Sequence, residues 1–501
     1  ERCRACGSTQ RRMSVASVLV FDPSRKAHRK KPTEEDVQDA KIIYYHPSGA
    51  SPEEKRQQVG LVEGLISFTR MFRESEGSPA FRAVRTQQHL IVARECEPSI
   101  WMAMALLHST TSGLDGADAT DWDDDDVSDT VLLALLRNCH EVFTLLHGRI
   151  RSFCDRKSRL CDLFEDFIPA YIATIDCSDL TILHEMDGYH FGPVERGTYL
   201  AIQSFLSVLQ RNFPVIRYAA LLYDAYLVYS GLPPADMRLL YSYLVSYANG
   251  NVSNHKLNRR PFGRMPTAAS QPGGGSSSFG RVQLLEGNED GFIFGPSNVP
   301  TGSGASSMFV PPIALHNGST GQLLAFLYQG IMLVMVLHGG LEGDSVDRRA
   351  RLAFDPGEVP ALHEAAVYSP GGLKDLLPSV HEQFTRIMSQ EDSYRFVYFN
   401  AANHAVRKSN RATASGKEKC SSSLLPHESH VVQNMHAVFT DTDPECREIL
   451  LKSSGSGWIG GKNTLDREFF VALDGSNLSF TKAQDEMQKF GTIHFANIFI
   501  D

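Results

Sequence analysis

The sequence predicts an α+β protein in which one plan of strands and helices begins three times. Segments rich in β-branched and aromatic residues alternate with segments of helical periodicity, and each group opens with strand-like sequence. The length of 501 residues suits about three domains of roughly 150 residues each. Each unit is expected to contain an antiparallel sheet with helices beside it.

The first unit opens with two strands, in MSVASVLVF and KIIYYH, which end before Pro23 and Pro47. A helix follows, with Ser51 as N-cap, Pro52 in its first position and Glu54 completing a capping box. Its apolar residues keep helical spacing at Val59, Val62, Leu65, Ile66 and Phe72. Three strands are predicted next, around 81–85 and in QHLIVARE and WMAMALLH.

An acidic run, DGADATDWDDDDVSDT at 115–130, then interrupts the pattern. It lacks the glycine and terminal glutamate of an EF-hand, so a solvated insertion is favoured over a calcium loop. Helical periodicity resumes at 131–153, at 159–175 and in TYLAIQSFLSVLQ.

The second unit begins with IRYAALLYDAYLVYSG, a strand pair that turns near Asp224, followed by the helical PADMRLLYSYLVSYA. The Gly/Ser-rich stretch 249–307 is predicted to be a flexible insertion. The apolar run at 322–337 is shorter than the ~20 residues of a membrane-spanning helix and contains Gln329 and Gly330 at its centre. It is therefore predicted to be a buried hairpin, and a helix around 374–390 closes the unit.

The third unit starts at YRFVYFN, 394–400, and carries a Lys/Ser-rich insertion at 407–423. Helices are predicted to about Lys452, and then two strands, GSGWIGG and REFFVAL, with a turn at 460–466 between them. The segment SSGSGWIGGKNT looks like a phosphate-binding loop, but Ser456 and Asn463 stand where glycine and a hydroxyl residue are required. A hairpin explains it better, and IHFANIFID ends the chain.

Composition excludes some classes of function. The net charge of -9 argues against non-specific binding to nucleic acid. Nine scattered cysteines without a secretory signal are typical of free thiols in the cytosol. Cys420, His427, His430 and His436 have a spacing that could hold a metal, but a surface loop running into a helix is favoured. No catalytic signature is present, and no metal, cofactor or covalent chemistry is predicted.

Two glycines of the first helix, Gly60 and Gly64, are the unusual feature of the first unit. They lie four residues apart on one face, and each costs up to about 1 kcal/mol of helix propensity relative to alanine. Small residues allow another backbone to approach closely. That backbone is either the protein's own sheet or a partner, and the sequence leaves both interpretations open.

Several of these segments together resemble the Ccz subunit family of the Mon–Ccz vacuolar and late-endosomal fusion complex. The resemblance is collinear over 13–501 and weak in the three insertions. It rests on KIIYYHP, VGLVEGLISFTRMF, IRYAALLYDAYLVYSGLPPADMRLLYSYL, YRFVYFN and FANIFID.

The resemblance implies three longin domains, each a five-stranded antiparallel sheet with flanking helices. We expect a disordered leader at 1–12 and a first longin domain at 13–176. The connecting helix and second longin domain are expected at 177–391, and the third longin domain at 392–501.

The resemblance also implies a function without covalent chemistry. The chain would pair with a Mon-type subunit, chiefly through the first longin domains, and the pair would exchange guanine nucleotide on a late-endosomal Rab-seven-class GTPase. It would be cytoplasmic, recruited peripherally to late endosomes, vacuoles or lysosomes, with a third regulatory subunit in animals. Gly60, Leu61, Gly64 and Phe68 are the candidate residues for pairing or Rab contact.

Other interpretations remain open. The chain could be a non-catalytic three-longin scaffold, an exchange-factor subunit of the Hermansky–Pudlak type acting on another Rab, or a ciliary planar-polarity effector. A nucleotide-binding enzyme is supported only by the imperfect loop near Ser456. The basic segment KLNRRPFGR at 256–264 is interpreted as a solvated linker, with contact to anionic lipid as the alternative.

Overall fold

The computed structural model describes most of the chain. The described residues are 12–27, 31–71, 83–86, 89–109, 128–153, 157–175, 177, 180–192, 194–252, 281–282, 291–293, 295–296, 308–309, 311–338, 359–391, 395–409, 424–443, 445–453, 457–474 and 478–495. They form two compact units. The first unit contains the first repeat of the predicted plan, the second contains the second and third repeats, and each unit is described by itself.

The first repeat is a five-stranded antiparallel sheet in the order β2-β1-β5-β4-β3. Its elements are β1 (Arg12–Phe21), α1 (Glu34–Lys41), β2 (Ile42–His46), α2 (Pro52–Arg70), β3 (Ala83–Arg85), β4 (His89–Glu97), β5 (Ile100–Ser109), α3 (Asp129–His147), a 3-10 turn (Ile150–Phe153) and α4 (Lys157–Ile172). The predicted strands and the three main helices are confirmed. Helix α1 was not predicted, because none of its residues is buried and its sequence has no apolar stripe.

Helices cover both faces of this first sheet. On one face α2 packs over Leu19 and Trp101. On the other face Phe143 of α3 stacks on Phe164 of α4 at 4.4 Å, and Phe164 lies 5.5 Å from Tyr44 of β2. Neighbouring residues of β2 point to opposite faces, so Tyr45 packs on the α2 side.

The second repeat is a seven-stranded sheet in which β8-β7-β15-β14 form the centre. Two elements precede this sheet, α5 (Ile182–Met186) and β6 (Tyr189–His190). The elements of the repeat are α6 (Arg196–Asn212), β7 (Ile216–Tyr223), β8 (Tyr226–Ser230), α7 (Pro234–Val252), β9 (Arg281–Val282), β10 (Gly291–Ile293), β11 (Gly295–Pro296), β12 (Met308–Phe309), β13 (Pro312–Ala314), β14 (Thr320–Tyr328), β15 (Ile331–His338), α8 (Val359–Tyr368) and α9 (Leu373–Glu391). Strands β11 and β12 pair with each other in a separate two-stranded sheet. Strands β13 and β10 pair with opposite ends of β14, and β9 pairs with β10.

Both hairpins predicted in the second repeat are confirmed. The β7–β8 turn has positive φ at Asp224 and Ala225, and the β14–β15 turn has positive φ at Gln329 and Gly330. Two successive left-handed residues are what a two-residue turn needs to match the strand twist. Strand β15 is buried from Ile331 to Leu337, which explains its continuous apolar sequence.

The predicted insertion at 249–307 requires a correction. Helix α7 continues to Val252, and β9 and β10 within the range join the second sheet, because their backbone groups pair with each other and with β14. Except for β11, the remainder of that range, including the basic segment 256–264, lies outside the described residues, as do 115–127 of the acidic run. The last residues of that run, from Asp129, belong to α3.

The third repeat has six strands in the order β18-β19-β20-β16-β17-β6. Its elements are β16 (Arg395–Asn400), β17 (Ala405–Lys408), α10 (Pro426–Ala437), a π-helical turn (Val438–Thr442), β18 (Glu448–Ser453), β19 (Gly457–Thr464), β20 (Arg467–Asp474) and α11 (Phe480–Phe495). Helices α10 and α11 lie on opposite faces, with Met435 near Gly461 on one and Phe490 on Phe396 and Phe469 on the other.

Several boundaries in the third repeat differ from the prediction. The insertion begins later than 407, because β17 runs to Lys408. The helix predicted to reach Lys452 ends earlier, since Glu448–Ser453 is a strand that pairs with β19. The turn of the predicted hairpin is only Leu465 and Asp466, because β19 continues pairing to Thr464. Helix α11 was not predicted.

The three repeats share one strand order. Numbered within each repeat, the strands run second, first, fifth, fourth and third: β2-β1-β5-β4-β3, β8-β7-β15-β14 with β13 and β10, and β17-β16-β20-β19-β18. A helix always connects the second and third strands, namely α2, α7 or α10. The predicted threefold α+β plan is therefore confirmed. The second and third sheets carry additional strands beyond the predicted five.

A short segment joins the second and third sheets. Strand β6 pairs in parallel with β17, and the N–H of Gly192 donates to the Leu227 carbonyl of β8 at 2.7 Å. The N–H of Phe191 donates to Val406 of β17. Tyr189–Gly192, called here the bridging segment, therefore hydrogen-bonds to the edge strands of both sheets. The boundary of the predicted leader also changes by one residue, because Arg12 already belongs to β1.

We predict that Gly188→Ala destabilises the second unit by about 1–3 kcal/mol. A Cβ at position 188 would overlap the Val406 side chain and lie 2.5 Å from the His404 carbonyl oxygen, so β17 would have to move. Urea unfolding followed by circular dichroism measures the change. Gly197→Ala, where the new methyl group meets nothing within 4 Å, is the matched control and should not destabilise. Equal midpoints for the two variants would contradict the prediction.

Candidate functional site

Helix α2 is fixed at its start by local sequence. Ser51 is the N-cap, and its hydroxyl accepts a hydrogen bond from the Glu54 backbone N–H at 3.2 Å. Pro52 occupies the first turn as predicted. Only this half of the predicted capping box forms, and the complete box is found instead at Thr33 and Asp36 of α1.

One face of α2 is buried against the first sheet. Val59, Val62 and Ile66 are each at most 3% exposed and pack with Leu19 and Trp101. These three residues follow the helical spacing that the sequence predicts. Because this face is fixed on the sheet, the residues half a turn away must point outward.

The outward face of α2 is apolar. Leu61, Phe68 and Met71 are 51%, 55% and 74% exposed, and they lie seven and three residues apart on one side of the helix. Gly60 and Gly64 lie on the same side and are also exposed. We call Gly60, Leu61, Gly64, Phe68 and Met71 the α2 stripe. The structure thus brings together all four residues predicted from the sequence and adds Met71.

The two glycines do not serve packing within the first repeat. Among the described residues, a Cβ at Gly60 or Gly64 would meet no atom within 4 Å apart from those of its chain neighbours and of the α2 backbone. The interpretation that these residues let α2 approach its own sheet is therefore wrong. What they leave is a shallow depression on the outer surface of the helix, with Leu61 and Phe68 beside it.

Charged residues flank the α2 stripe but do not interrupt it. Arg56 donates to Asp39 of α1 at 2.9 Å and lies 3.2 Å from Glu35 and 3.6 Å from Glu53. The hydrogen bond to Asp39 is the main cause that raises the pKa of the Arg56 guanidinium, and the neighbouring carboxylates add to it. Lys41 and Glu63 form a second pair between α1 and α2 at 2.7 Å.

The far end of α2 is held by an aromatic contact. The Arg70 guanidinium lies 5.4 Å from the Trp101 ring centroid and 3.8 Å from a Glu95 carboxylate oxygen. Cation–π contacts at exposed sites contribute about 0.5–1 kcal/mol. The outward positions between the two charged ends, from Gln57 to Met71, carry no charge. A partner could cover them without desolvating an ionised group.

The corresponding helices of the other repeats present different outward faces. In the second repeat the described first half of α7 is buried on nearly all sides, and Arg238 forms an ion pair with Asp187 just before the bridging segment. In the third repeat the outward positions of α10 include His427, Asn434 and Ala437, which are polar or small. Among these three helices, as far as they are described, α2 is the one with exposed large apolar side chains within the helix itself, whereas α10 has Leu425, 44% exposed, as its N-cap.

A groove of about 420 Å³ lies beside β2 in the first repeat, lined in part by Tyr44, Lys55, Lys157 and Glu165. Burial raises the pKa of the Cys161 thiol there, and the thiol lies 3.0 Å from the Ile43 carbonyl oxygen as a hydrogen-bond donor. A thiol with a raised pKa is a poor nucleophile. The Cys161 thiol is therefore poorly suited to act as a nucleophile.

The cysteine and histidines whose spacing suggested a metal site are not seen together in the structure. His436 Nδ1 lies 2.6 Å from a Glu468 carboxylate oxygen, and Cys420 lies outside the described residues. Within the described parts of the chain, no group of three His, Cys, Asp or Glu side chains is placed to hold a metal ion. Nor does any described helix combine the length and apolarity needed to cross a membrane.

Family comparisons match the three repeats separately. Residues 15–148 match the first longin domain of INTU, CCZ1 and HPS4. Residues 216–346 match Intu longin-like domain 2, and residues 390–490 match Intu longin-like domain 3. Together these matches cover nearly three quarters of the chain, and each contains the five-strand centre of one repeat.

Relatives named vacuolar fusion protein CCZ1 homolog are similar over almost the whole chain. The protein of Xenopus laevis is 26% identical over 97% of each chain. The protein of Nematostella vectensis is 27% identical over 93% of this chain and 94% of its own. The protein of Dictyostelium discoideum is 21% identical over 93% of this chain and 95% of its own.

We predict that Gly60→Ala and Gly64→Ala each stabilise the chain by itself by up to about 1 kcal/mol, because alanine is the better helix former and the added methyl group meets open space. Chemical denaturation measures the change. Ile66→Ala is the contrasting variant, and loss of its buried side chain should cost about 2–4 kcal/mol. Destabilisation by either glycine variant would show that the depression is occupied within the chain.

Proposed function

We propose that this chain, which belongs to the family of three-longin proteins that includes INTU, CCZ1 and HPS4, is the Ccz-type subunit of a guanine-nucleotide exchange factor. The observation that carries the proposal is the collinear similarity to CCZ1 homologues over nearly the full length of both chains. The names of those relatives place them in vacuolar fusion. On this basis the chain is a subunit of a trafficking complex.

The proposed partner is a Mon-type longin subunit, and the proposed contact is the α2 stripe. Leu61 and Phe68 are about half exposed, so covering them would contribute roughly 1–2 kcal/mol each. The depression at Gly60 and Gly64 lets a second helix approach more closely than side chains would allow. Helix α2 is held on its sheet by buried residues, so the stripe is presented on a rigid element.

The proposed substrate of the pair is a late-endosomal Rab-seven-class GTPase. An exchange factor forms no covalent bond, and it acts by binding the nucleotide-free GTPase more tightly than the loaded form. By linkage, if the exchange factor lowers the affinity of the GTPase for nucleotide by a given ratio, bound nucleotide lowers the affinity of the GTPase for the exchange factor by the same ratio. The residues required are therefore surface groups that displace the switch loops and their magnesium and phosphate contacts.

Recruitment to late endosomes, vacuoles or lysosomes would then occur through the complex as a peripheral assembly, with a third regulatory subunit as a further proposed component. The chain's net charge of -9 opposes non-specific attraction to anionic lipid. Attachment is therefore proposed to depend on local surfaces and on partners. No nucleic-acid partner is proposed.

The second candidate is a three-longin scaffold, or an exchange-factor subunit of another Rab. This alternative has support in the family comparisons, because the matches of the second and third repeats are described by Intu alone and the first by INTU and HPS4 as well as CCZ1. The full-length relatives favour the Ccz-type assignment. Nucleotide release from the GTPase distinguishes the two.

We expect the co-purified pair, but neither subunit alone, to accelerate release of fluorescent GDP from a late-endosomal Rab. Leu61→Ser combined with Phe68→Ser should weaken pairing by at least about tenfold, since two anchors are lost, and exchange should fall with it. Size-exclusion chromatography and fluorescence decay measure the two effects.

The matched control is Leu200→Ser with Val208→Ser on α6, which removes two similarly exposed apolar side chains from a different helix. Pairing and exchange should be unchanged by it. A pair that forms but leaves GDP release at its intrinsic rate would overturn the exchange activity and favour the scaffold. Equal loss of pairing in both double variants would overturn the assignment of the contact to α2.

A further inference from the structure

The outward surface around α2 changes in charge along the helix. Glu53 lies on the same outward side as Gln57, Gly60 and Gly64, because these positions follow helical spacing. Glu53 is 67% exposed, and Glu35 of the adjacent α1 is 70% exposed. Eight residues, about 12 Å along the axis, separate Glu53 from Leu61. The apolar stripe therefore has an acidic border at its N-terminal end.

In the described part of the first repeat, the carboxylates of this border have few basic partners. Among the described residues, Arg56 contacts Glu35, Asp39 and Glu53, so these three carboxylates share one guanidinium. Asp39 also interacts with the charge of Lys157, whereas Arg56 is the described ion-pair partner of Glu35 and Glu53. Its side chain is only 14% exposed and is held by the bidentate contact with Asp39. An incoming molecule therefore meets the outer carboxylates before it meets the arginine.

From this arrangement we infer that the partner surface that covers the α2 stripe is an amphipathic helix with Lys or Arg at the end that faces Glu35 and Glu53. The inference rests on the proposed pairing through α2 and specifies the chemistry of the partner. Its apolar side chains would meet Leu61, Phe68 and Met71, and one of its ridges would enter the depression at the two glycines.

Charge complementarity selects this occupant over a membrane. Anionic lipid surfaces attract basic segments and repel carboxylates, so an exposed apolar stripe bordered by Glu35 and Glu53 is poorly suited to insertion. A basic protein helix gains from the same carboxylates. Arginine is particularly suited, because its planar guanidinium binds a carboxylate through two parallel hydrogen bonds.

The expected effect of such a border is mainly kinetic. Exposed charges at the rim of an interface increase the association rate by steering the encounter. This effect weakens at high salt, because the Debye length falls from about 10 Å at 0.1 M to about 3 Å at 1 M. The apolar stripe, in contrast, should set the lifetime of the complex. Association rate and dissociation rate therefore report separately on the two parts of the surface.

The test uses the full chain with Glu35→Gln and Glu53→Gln together, and a purified Mon-type longin subunit as the probe. Glutamine keeps the size of the side chain and one acceptor oxygen while removing its charge. Stopped-flow measurement should show an association rate lowered roughly 3–10-fold at 50 mM salt and less than about twofold at 500 mM salt. Glu53→Lys should lower the rate further.

The matched control is Glu382→Gln with Asp485→Asn, which removes two exposed carboxylates from α9 and α11 and the same amount of charge. If both double variants lower the association rate equally, net charge rather than the α2 border is responsible, and the inference is overturned. A rate unchanged by Glu35→Gln with Glu53→Gln, while Leu61→Ser with Phe68→Ser abolishes pairing, overturns the basic helix but leaves the proposed function standing. If the unaltered chain and the Mon-type subunit do not associate, the proposed function fails and the inference fails with it.

Discussion

The pairing of the first and fifth strands of each repeat is the contact on which the rest of the structure depends. These strands, β1 with β5, β7 with β15 and β16 with β20, lie side by side at the centre of each sheet although long stretches of chain separate them. Most of their buried residues are apolar, and these residues lie on both faces, so neither face can be left to water. Each repeat must therefore supply helices on both sides. The connection between the second and third strands always provides one of them, and only the inner face of that helix is constrained.

The fold does not constrain the outer face of the helix between the second and third strands, so the residues on that face differ between the three repeats. Helix α7 uses it for contacts within the second unit, including the ion pair between Arg238 and Asp187, and α10 presents polar and small residues to solvent. Helix α2 has the same place in the fold but carries Leu61 and Phe68 on its outer face, where each is about half exposed. The similarity to CCZ1 homologues covers all three repeats. The candidate site, however, is distinguished by the exposed apolar residues on the outer face of α2, a face that the fold itself does not constrain.

Sequence patterns predicted most strands and long helices. A strand buried on one face has apolar residues at every second position, a strand buried on both faces is a continuous apolar run, and a helix buried on one face has apolar residues with a period near 3.6. They failed at α1, which buries nothing, and at Glu448–Ser453, a strand with two exposed residues that resembles polar helix. The site was predicted only in part. Gly60 and Gly64 could be recognised as unusual, but glycine has no side chain to show which face is buried. Their outward orientation follows from the neighbours of Val59, Val62 and Ile66, and that information is three-dimensional.

The bridging segment has a consequence for synthesis of the chain. Tyr189–Gly192 precedes both sheets that it joins, yet the His404 and Val406 carbonyls that accept its N–H groups come more than two hundred residues later. At a translation rate of about 5–20 residues per second, these donors wait roughly 10–40 s before their acceptors exist. During that interval the second sheet has an unsatisfied border that can hydrogen-bond to other chains or be held by a chaperone. Formation of β17 in the third repeat then closes the border, so a part of the chain that is made later protects an earlier one.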